Sequence, residues 1–334
     1  MIVLCVAVLL AGQSRQVEEL QQRLRSPKAE EREEALRKIE DLADRGRRES
    51  FPALIPRVVE LLKDPERRVR RAAAQTAGEM GAKAAAPALR ELLGDPDPGI
   101  RERAVEALGD LRIKEAVPEL LERLKDENDE VRARAAEAMG QLGAREEATS
   151  ALIELLGDPV GAVRERAAEA IGVLGARDAV APLLKRLKDR DTDVRNAAVE
   201  ALEELIEKRH VAELAPYLKD DDPGVRRRAA SLLEDLDTEE ATLLLLPLLV
   251  DDASDVRKAA AEAVSDHRGA ASVAAVEGLL ADPVAARRRA AAEALSYMRA
   301  KGSLPRLESG LQQEKDEKVR DAFLRAIDRL KKAR

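Results

Sequence analysis

A single unit recurs along the chain, and its period constrains the fold more than any other feature. Each copy reads Asp, a short polar linker, Val-Arg, two residues, Ala-Ala and then Glu-Ala-Leu-Gly or a close variant, followed by a stretch ending in Leu-Leu or Arg-Leu. Aligned on the arginine, the copies fall at Arg70, Arg101, Arg132, Arg164, Arg195, Arg226, Arg257, Arg288 and Arg320, with steps of 31, 31, 32, 31, 31, 31, 31 and 32. An atypical copy centres on Arg32, and the step of 38 after it includes Arg45-Gly46-Arg47-Arg48. A fixed period of roughly 20 to 50 residues is the signature of a solenoid, in which one small unit cannot bury its apolar face alone and neighbours stack into a continuous core. A length of 334 residues would otherwise imply about two ordinary domains.

Both halves of a copy have helical spacing. In the second half Val131, Ala135, Ala138, Met139 and Leu142 fall on one face of a 3.6-residue helix. In the first half Pro118 precedes Leu120, Leu121 and Leu124, and Pro52, Pro87, Pro182 and Pro305 stand at equivalent places, where a first helical turn tolerates proline. The pairs Gly78/Gly81, Gly140/Gly143 and Gly172/Gly175 mark second-helix ends, where glycine accepts left-handed backbone. The expected fold is all-α, an α-α superhelix of about ten antiparallel helix pairs over residues 15–334. Leucines of the first helices should contribute more per side chain than the alanine rows, so Leu121→Ala should cost more than Ala135→Ser.

Composition narrows the chemistry. Aromatic residues make up 1% of the chain, with no Trp, which leaves little to stack on a base, a sugar or a planar cofactor. A net charge of −7 opposes sequence-independent binding to phosphate backbones, so nucleic acid is not expected as a partner. Cys5 is the sole cysteine, which rules out an internal disulfide and a multi-cysteine metal site. Residues 2–11 are apolar and precede Gly12, Gln13 and Ser14; ten residues are too few to span a bilayer and suit the core of a secretory signal. Residues 1–14 are therefore expected to be a signal peptide, and the protein periplasmic or secreted, or cytoplasmic if that segment is not a signal.

The pattern Val-Arg-x-x-Ala-Ala-x-Ala-Leu-Gly-x-Leu-Gly resembles the short HEAT-like repeats of bacterial proteins often called phycobilisome-lyase-type repeats, and the resemblance covers residues 26 to 334. It implies a solenoid whose second helices line the concave side. It also implies a hydrogen-bonded ladder between neighbouring copies, made by the arginine and by Asp64, Asp95, Asp126, Asp158, Asp189, Asp220, Asp251 and Asp282, each six residues before its own arginine. Ser26 and Glu314 replace Asp in the first and last copies, and Arg287 replaces Val in the penultimate one, where packing should loosen. The resemblance carries no catalytic residue onto this chain.

No catalytic, metal or cofactor constellation stands out. His210 and His267 lie 57 residues apart without a motif and are expected at the surface or in turns. Asp189, Asp191, Asp193 and Glu200 match the acidic positions of an EF-hand, but Val194 stands where the loop needs Gly and the repeat register makes this stretch helical. The expected working surface is acidic. Counted from the ladder arginines, one column holds Glu106, Glu137, Glu169, Glu200, Glu262 and Glu293, and a second, four residues on, holds Asp110, Glu204, Asp235 and Asp266. These ten residues are the expected contact surface of a noncatalytic scaffold for a protein or peptide with basic segments. The alternative is an accessory or regulatory subunit of an enzyme, lyase-like ones included. The competing explanation of the columns is that Glu is a good helix former paired with nearby Arg, as Arg289 with Glu293 and Lys258 with Glu262.

Overall fold

A computed structural model describes residues 15–43 and 52–332. The apolar start, the signal-peptide expectation for residues 1–14 and Arg45-Gly46-Arg47-Arg48 lie outside them. Among the described residues the structure is helical throughout, in ten helix pairs. They form two compact units, Met1–Ala179 and Val180–Arg334.

Unit 1 holds α1 (15–24), α2 (Ala29–Leu42), α3 (Ile55–Leu61), α4 (Arg67–Glu79), α5 (Ala86–Leu92), α6 (Pro98–Asp110), α7 (Val117–Arg123), α8 (Asp129–Leu142), α9 (Arg145–Leu155) and α10 (Gly161–Leu174). Unit 2 holds α11 (Val180–Arg186), α12 (Thr192–Leu205), α13 (Val211–Leu214), α14 (Pro223–Ser231), α15 (Glu239–Leu245), α16 (Ser254–Asp266), α17 (Ala270–Gly278), α18 (Ala285–Tyr297), α19 (Leu304–Gln313) and α20 (Glu317–Lys332). Most first helices are short and are entered or extended by a 3₁₀ turn, because proline near their start removes a donor that has no partner there anyway.

In unit 1 the second helices α2, α4, α6, α8 and α10 pack on one another along their lengths, while successive first helices meet at fewer points. The more closely spaced row is the inside of a bend, which places the second helices on the concave side of this unit. Glycine and alanine permit the close approach: a Cβ on Gly78 would stand 3.2 Å from the Cβ of Ala107, and one on Gly109 would stand 3.1 Å from that of Ala138. The first glycine of such pairs thus serves helix packing. The second serves the helix end, since Gly81, Gly143 and Gly175 have φ of 67°, 68° and 64°.

The predicted core face of α8 is correct, with Val131, Ala135, Ala138, Met139 and Leu142 all buried. The first-helix expectation needs a correction. Leu120 is fully buried and Leu121 only half so, because the helix turns Leu120 and Leu124 toward α8.

Candidate functional site

The ladder is present and has a double role. One carboxylate oxygen of each loop acid accepts the backbone N–H two residues on, as Asp95 does from Asp97 and Asp126 from Asn128, at 2.9 and 3.0 Å. The acid then receives the arginine of the preceding copy in a forked pair: Arg101 Nε and Nη2 lie 2.9 and 2.7 Å from Asp126. The arginine's remaining nitrogen reaches back to its own loop, as Arg101 Nη1 does to the Asp95 carbonyl at 2.9 Å. Unit 1 repeats this rung at Arg32–Asp64, Arg70–Asp95 and Arg132–Asp158. Unit 2 has it at Arg226–Asp251 and Arg288–Glu314.

Two copies that looked aberrant do the same work. Ser26 Oγ accepts the Lys28 N–H at 3.2 Å. Glu314 accepts Arg288 at 2.6 Å together with the N–H groups of Lys315 and Asp316. These donors hold the Glu314 carboxyl down at about 2, the Arg288 pair contributing most. Two rungs in unit 2 are missing: Asp220 pairs with Lys188 instead of Arg195, and Asp282 pairs with Arg287 at 3.3 Å instead of Arg257.

The acidic columns divide sharply. In unit 1 each Glu is neutralised by an arginine three residues before it, Arg103 to Glu106 at 2.5 Å, Arg134 to Glu137 at 3.0 Å and Arg166 to Glu169 at 2.8 Å. Arg134 also bridges back to Glu102 and Glu106, so like-charged neighbours share one cation. Asp110 is exposed and receives Gln141 at 3.4 Å. In unit 2 Glu293 lies between Arg289 and Arg325, at 3.2 and 3.9 Å, Glu262 is 3.7 Å from Lys258, and Asp266 is 3.6 Å from Arg268.

Four of the expected residues, Asp110 in unit 1 and Glu200, Glu204 and Asp235 in unit 2, have no cation within 4.0 Å among the described residues. Glu203 and Glu234, which belong to neither column, join them. Burial, and then the charges of Glu200, Asp235 and Glu204, push the Glu203 carboxyl up. Burial, followed by Asp266, Asp235, Glu262 and Glu203, does the same for Glu234. Five carboxylates without counterions thus stand together in unit 2, three in the last two turns of α12 and two just after α14. The sequence signal for the division was an Arg three residues before each unit 1 Glu, absent before Glu200.

Both histidines lie in turns, as expected, but neither is at the surface. His267 is fully buried, with Nε2 2.8 Å from the Leu233 carbonyl and Nδ1 2.8 Å from Thr242 Oγ1. His210 is 7% exposed, and its Nδ1 accepts the Glu207 N–H at 2.9 Å. Both join helices to neighbouring turns, a role that a buried imidazole can fill only when its nitrogens find partners. At the EF-hand-like stretch α12 begins at Thr192, so Asp193 and Glu200 stand on a helix instead of in a loop. Among the described residues no helix is long and apolar enough to cross a membrane.

A pH prediction follows from the two sets of acids. Raised carboxyls such as Glu203 and Glu234 cost stability while ionised, and that cost disappears as pH falls through their folded values. Lowered ones such as Asp251 and Glu314 contribute stability above the ordinary carboxylate range and lose it as pH falls toward their own values, about 2 for Glu314. Thermal unfolding in low salt should therefore peak on the acid side of neutrality, near about pH 5, and fall steeply below the ordinary carboxylate values. A midpoint that declines steadily from pH 7 downward would contradict this.

Stacked helical hairpins joined by an Arg–Asp ladder define a tandem-repeat α-solenoid. The HEAT repeats model matches residues 17–109, 91–172, 149–230, 180–265 and 211–296, and the chain belongs to that family. No curated relative matches the sequence. Among solved structures, an engineered protein is 23% identical, with 95% of this chain and 99% of that one covered and a TM-score of 0.52. Kap95p, solved with RanGDP, is 16% identical with a TM-score of 0.59; the match covers 94% of this chain and 49% of Kap95p, so the chain spans about half its length. The CpcE–CpcF complex of phycocyanin lyase from Nostoc sp. PCC7120 is 25% identical, with 66% and 91% covered and a TM-score of 0.43.

Proposed function

We propose that the protein is a noncatalytic scaffold that captures a basic segment of a partner protein on the acidic end of unit 2. The observation that carries this reading is the set of five carboxylates, Glu200, Glu203, Glu204, Glu234 and Asp235, left without counterions where the unit 1 column is neutralised in place. Helix propensity accounts for paired Glu; it does not account for carboxylates that raise one another's proton affinity. A field of one sign speeds encounter with a cationic partner and makes the rate salt-dependent. Export through residues 2–11 belongs to the same proposal, and amino-terminal sequencing of the mature protein tests it.

The binding test compares Glu200→Lys/Glu203→Lys/Glu204→Lys with Glu137→Lys/Glu169→Lys, using a fluorescent lysine-rich peptide as probe. The first variant should slow association at least about tenfold at low salt and bring the rate to that of wild type in high salt. The second removes paired charges and should leave association close to wild type while losing up to about 1 kcal/mol of stability per pair. Equal rates for wild type and the first variant would remove the reading.

A further inference from the structure

We propose that unit 2 carries a binding pocket for a small amphiphilic carboxylate, an apolar body with one anionic head, at the amino end of α18. The pocket is the consequence of a break in the repeat. At the position before the ladder arginine eight copies place a buried Val or Ile, Val69, Ile100, Val131, Val163, Val194, Val225, Val256 and Val319, all 0–1% exposed, and the atypical first copy has Glu31. The α18 copy has Arg287, which turns outward to Asp282 at 3.3 Å. That contact takes Asp282 out of the ladder, so the rung from Arg257 is absent here as well.

Beside Arg287 the surface is open. A cavity of about 480 Å³ lies between α15, the 3₁₀ turn after it and the start of α18, walled by Leu243, Leu246, Val250, Leu279, Val284 and Ala290, with Arg287 as the one charged residue of its lining. Val284 is 47% exposed and Leu243 39%, so two of these apolar walls face solvent side by side. The size and the ratio of many apolar walls to one polar group are those of a small-ligand site.

The head-group end is set by an uncapped helix start, which α18 shares with α4, α10 and α16 but which here opens beside Arg287. The residue before α6, α8, α12 and α14 is Asp97, Asn128, Asp191 or Asp222, and each side chain accepts a helix N–H. Before α18 that residue is Val284, and no side chain caps the helix. The first-turn N–H groups therefore lack the acceptor that those helices have, and they lie beside Arg287 at the pocket. Asp282 occupies part of the Arg287 fork and uses its other oxygen on the Val284 N–H at 2.8 Å. The remaining donors favour an anion over a cation of the same apolar body. An open pocket of this volume holds roughly eight to twelve heavy atoms of that body.

The test uses calorimetric titration of the full chain with decanoate, decyltrimethylammonium and 1-decanol, each below its aggregation concentration. Decanoate should bind at least tenfold more tightly than either of the others. Arg287→Val gives the residue that eight copies carry and removes the cation; Val284→Asp supplies a capping acid and places a negative charge at the mouth. Each variant should keep the wild-type circular dichroism spectrum, unfold at or above the wild-type temperature, and weaken decanoate at least tenfold. Equal affinity for the three probes, undiminished binding by either variant, or no binding of decanoate would overturn the assignment. Tighter binding of an uncharged leucine-rich peptide than of decanoate would also overturn it, in favour of a protein-docking groove.

Discussion

Arg101→Ala is expected to lower the unfolding free energy by about 3 kcal/mol, the scale on which breaking a buried ion pair from one side acts. The Arg101 and Asp126 side chains are 7% and 3% exposed, so neither water nor salt screens them well. Removing the guanidinium leaves Asp126 buried with only Arg123 at 3.3 Å and the Asn128 N–H as partners. It also strips the donor from the Asp95 carbonyl. The control is Arg257→Ala. Arg257 makes the same reach to its own loop, 2.7 Å to the Asp251 carbonyl, but has no acid beyond it. Its removal should cost less than about 1.5 kcal/mol, in line with ordinary hydrogen bonds. The difference between the two variants, read from urea unfolding, isolates the bond between neighbouring copies. Equal losses would mean that the ladder works within each loop and contributes nothing between repeats.

The features legible in the sequence are those that recur. A period of 31, an Ala-rich face at Val131 to Leu142 and an acid six residues before each arginine are local patterns repeated nine times, and their geometry follows from helix period and stacking alone. What the sequence hid depends on which of several equivalent neighbours wins a contact. Asp220 could accept from Arg195 or Lys188, and Lys188 takes it. Four-residue spacing alone leaves Glu106 in a continuous acidic column, whereas Arg103 and Arg134 reach it from three residues before and from the next copy. His267 carries no motif, and its partner is the Leu233 carbonyl 34 residues earlier, in the turn after the shortened α14, which a local pattern does not reveal.

Adjacent leucines make the sharpest test of the fold. Leu120→Ala should cost about 3 kcal/mol, because Leu120 is fully enclosed between α7 and its neighbours and the closely packed alanines of α8 cannot collapse into the space it leaves. Leu121→Ala should cost about 1 kcal/mol, since half of that side chain already faces water and its loss opens no closed cavity. Ala135→Ser falls between or below: the site is fully buried, and the added hydroxyl has to bond the carbonyl one turn back to avoid an unsatisfied donor. Spacing alone singles out Leu121, whereas the packing puts Leu120 well above both it and Ala135. The reason is the direction of one turn of a seven-residue helix. Pro118 fixes the start of α7, and rotation of about 100° per residue from there sends Leu120 and Leu124 inward while Leu121 lies on the flank. Urea midpoints for the three variants decide it, and a Leu121→Ala loss equal to that of Leu120→Ala would show that α7 is rotated from the position on which the packing of unit 1 depends.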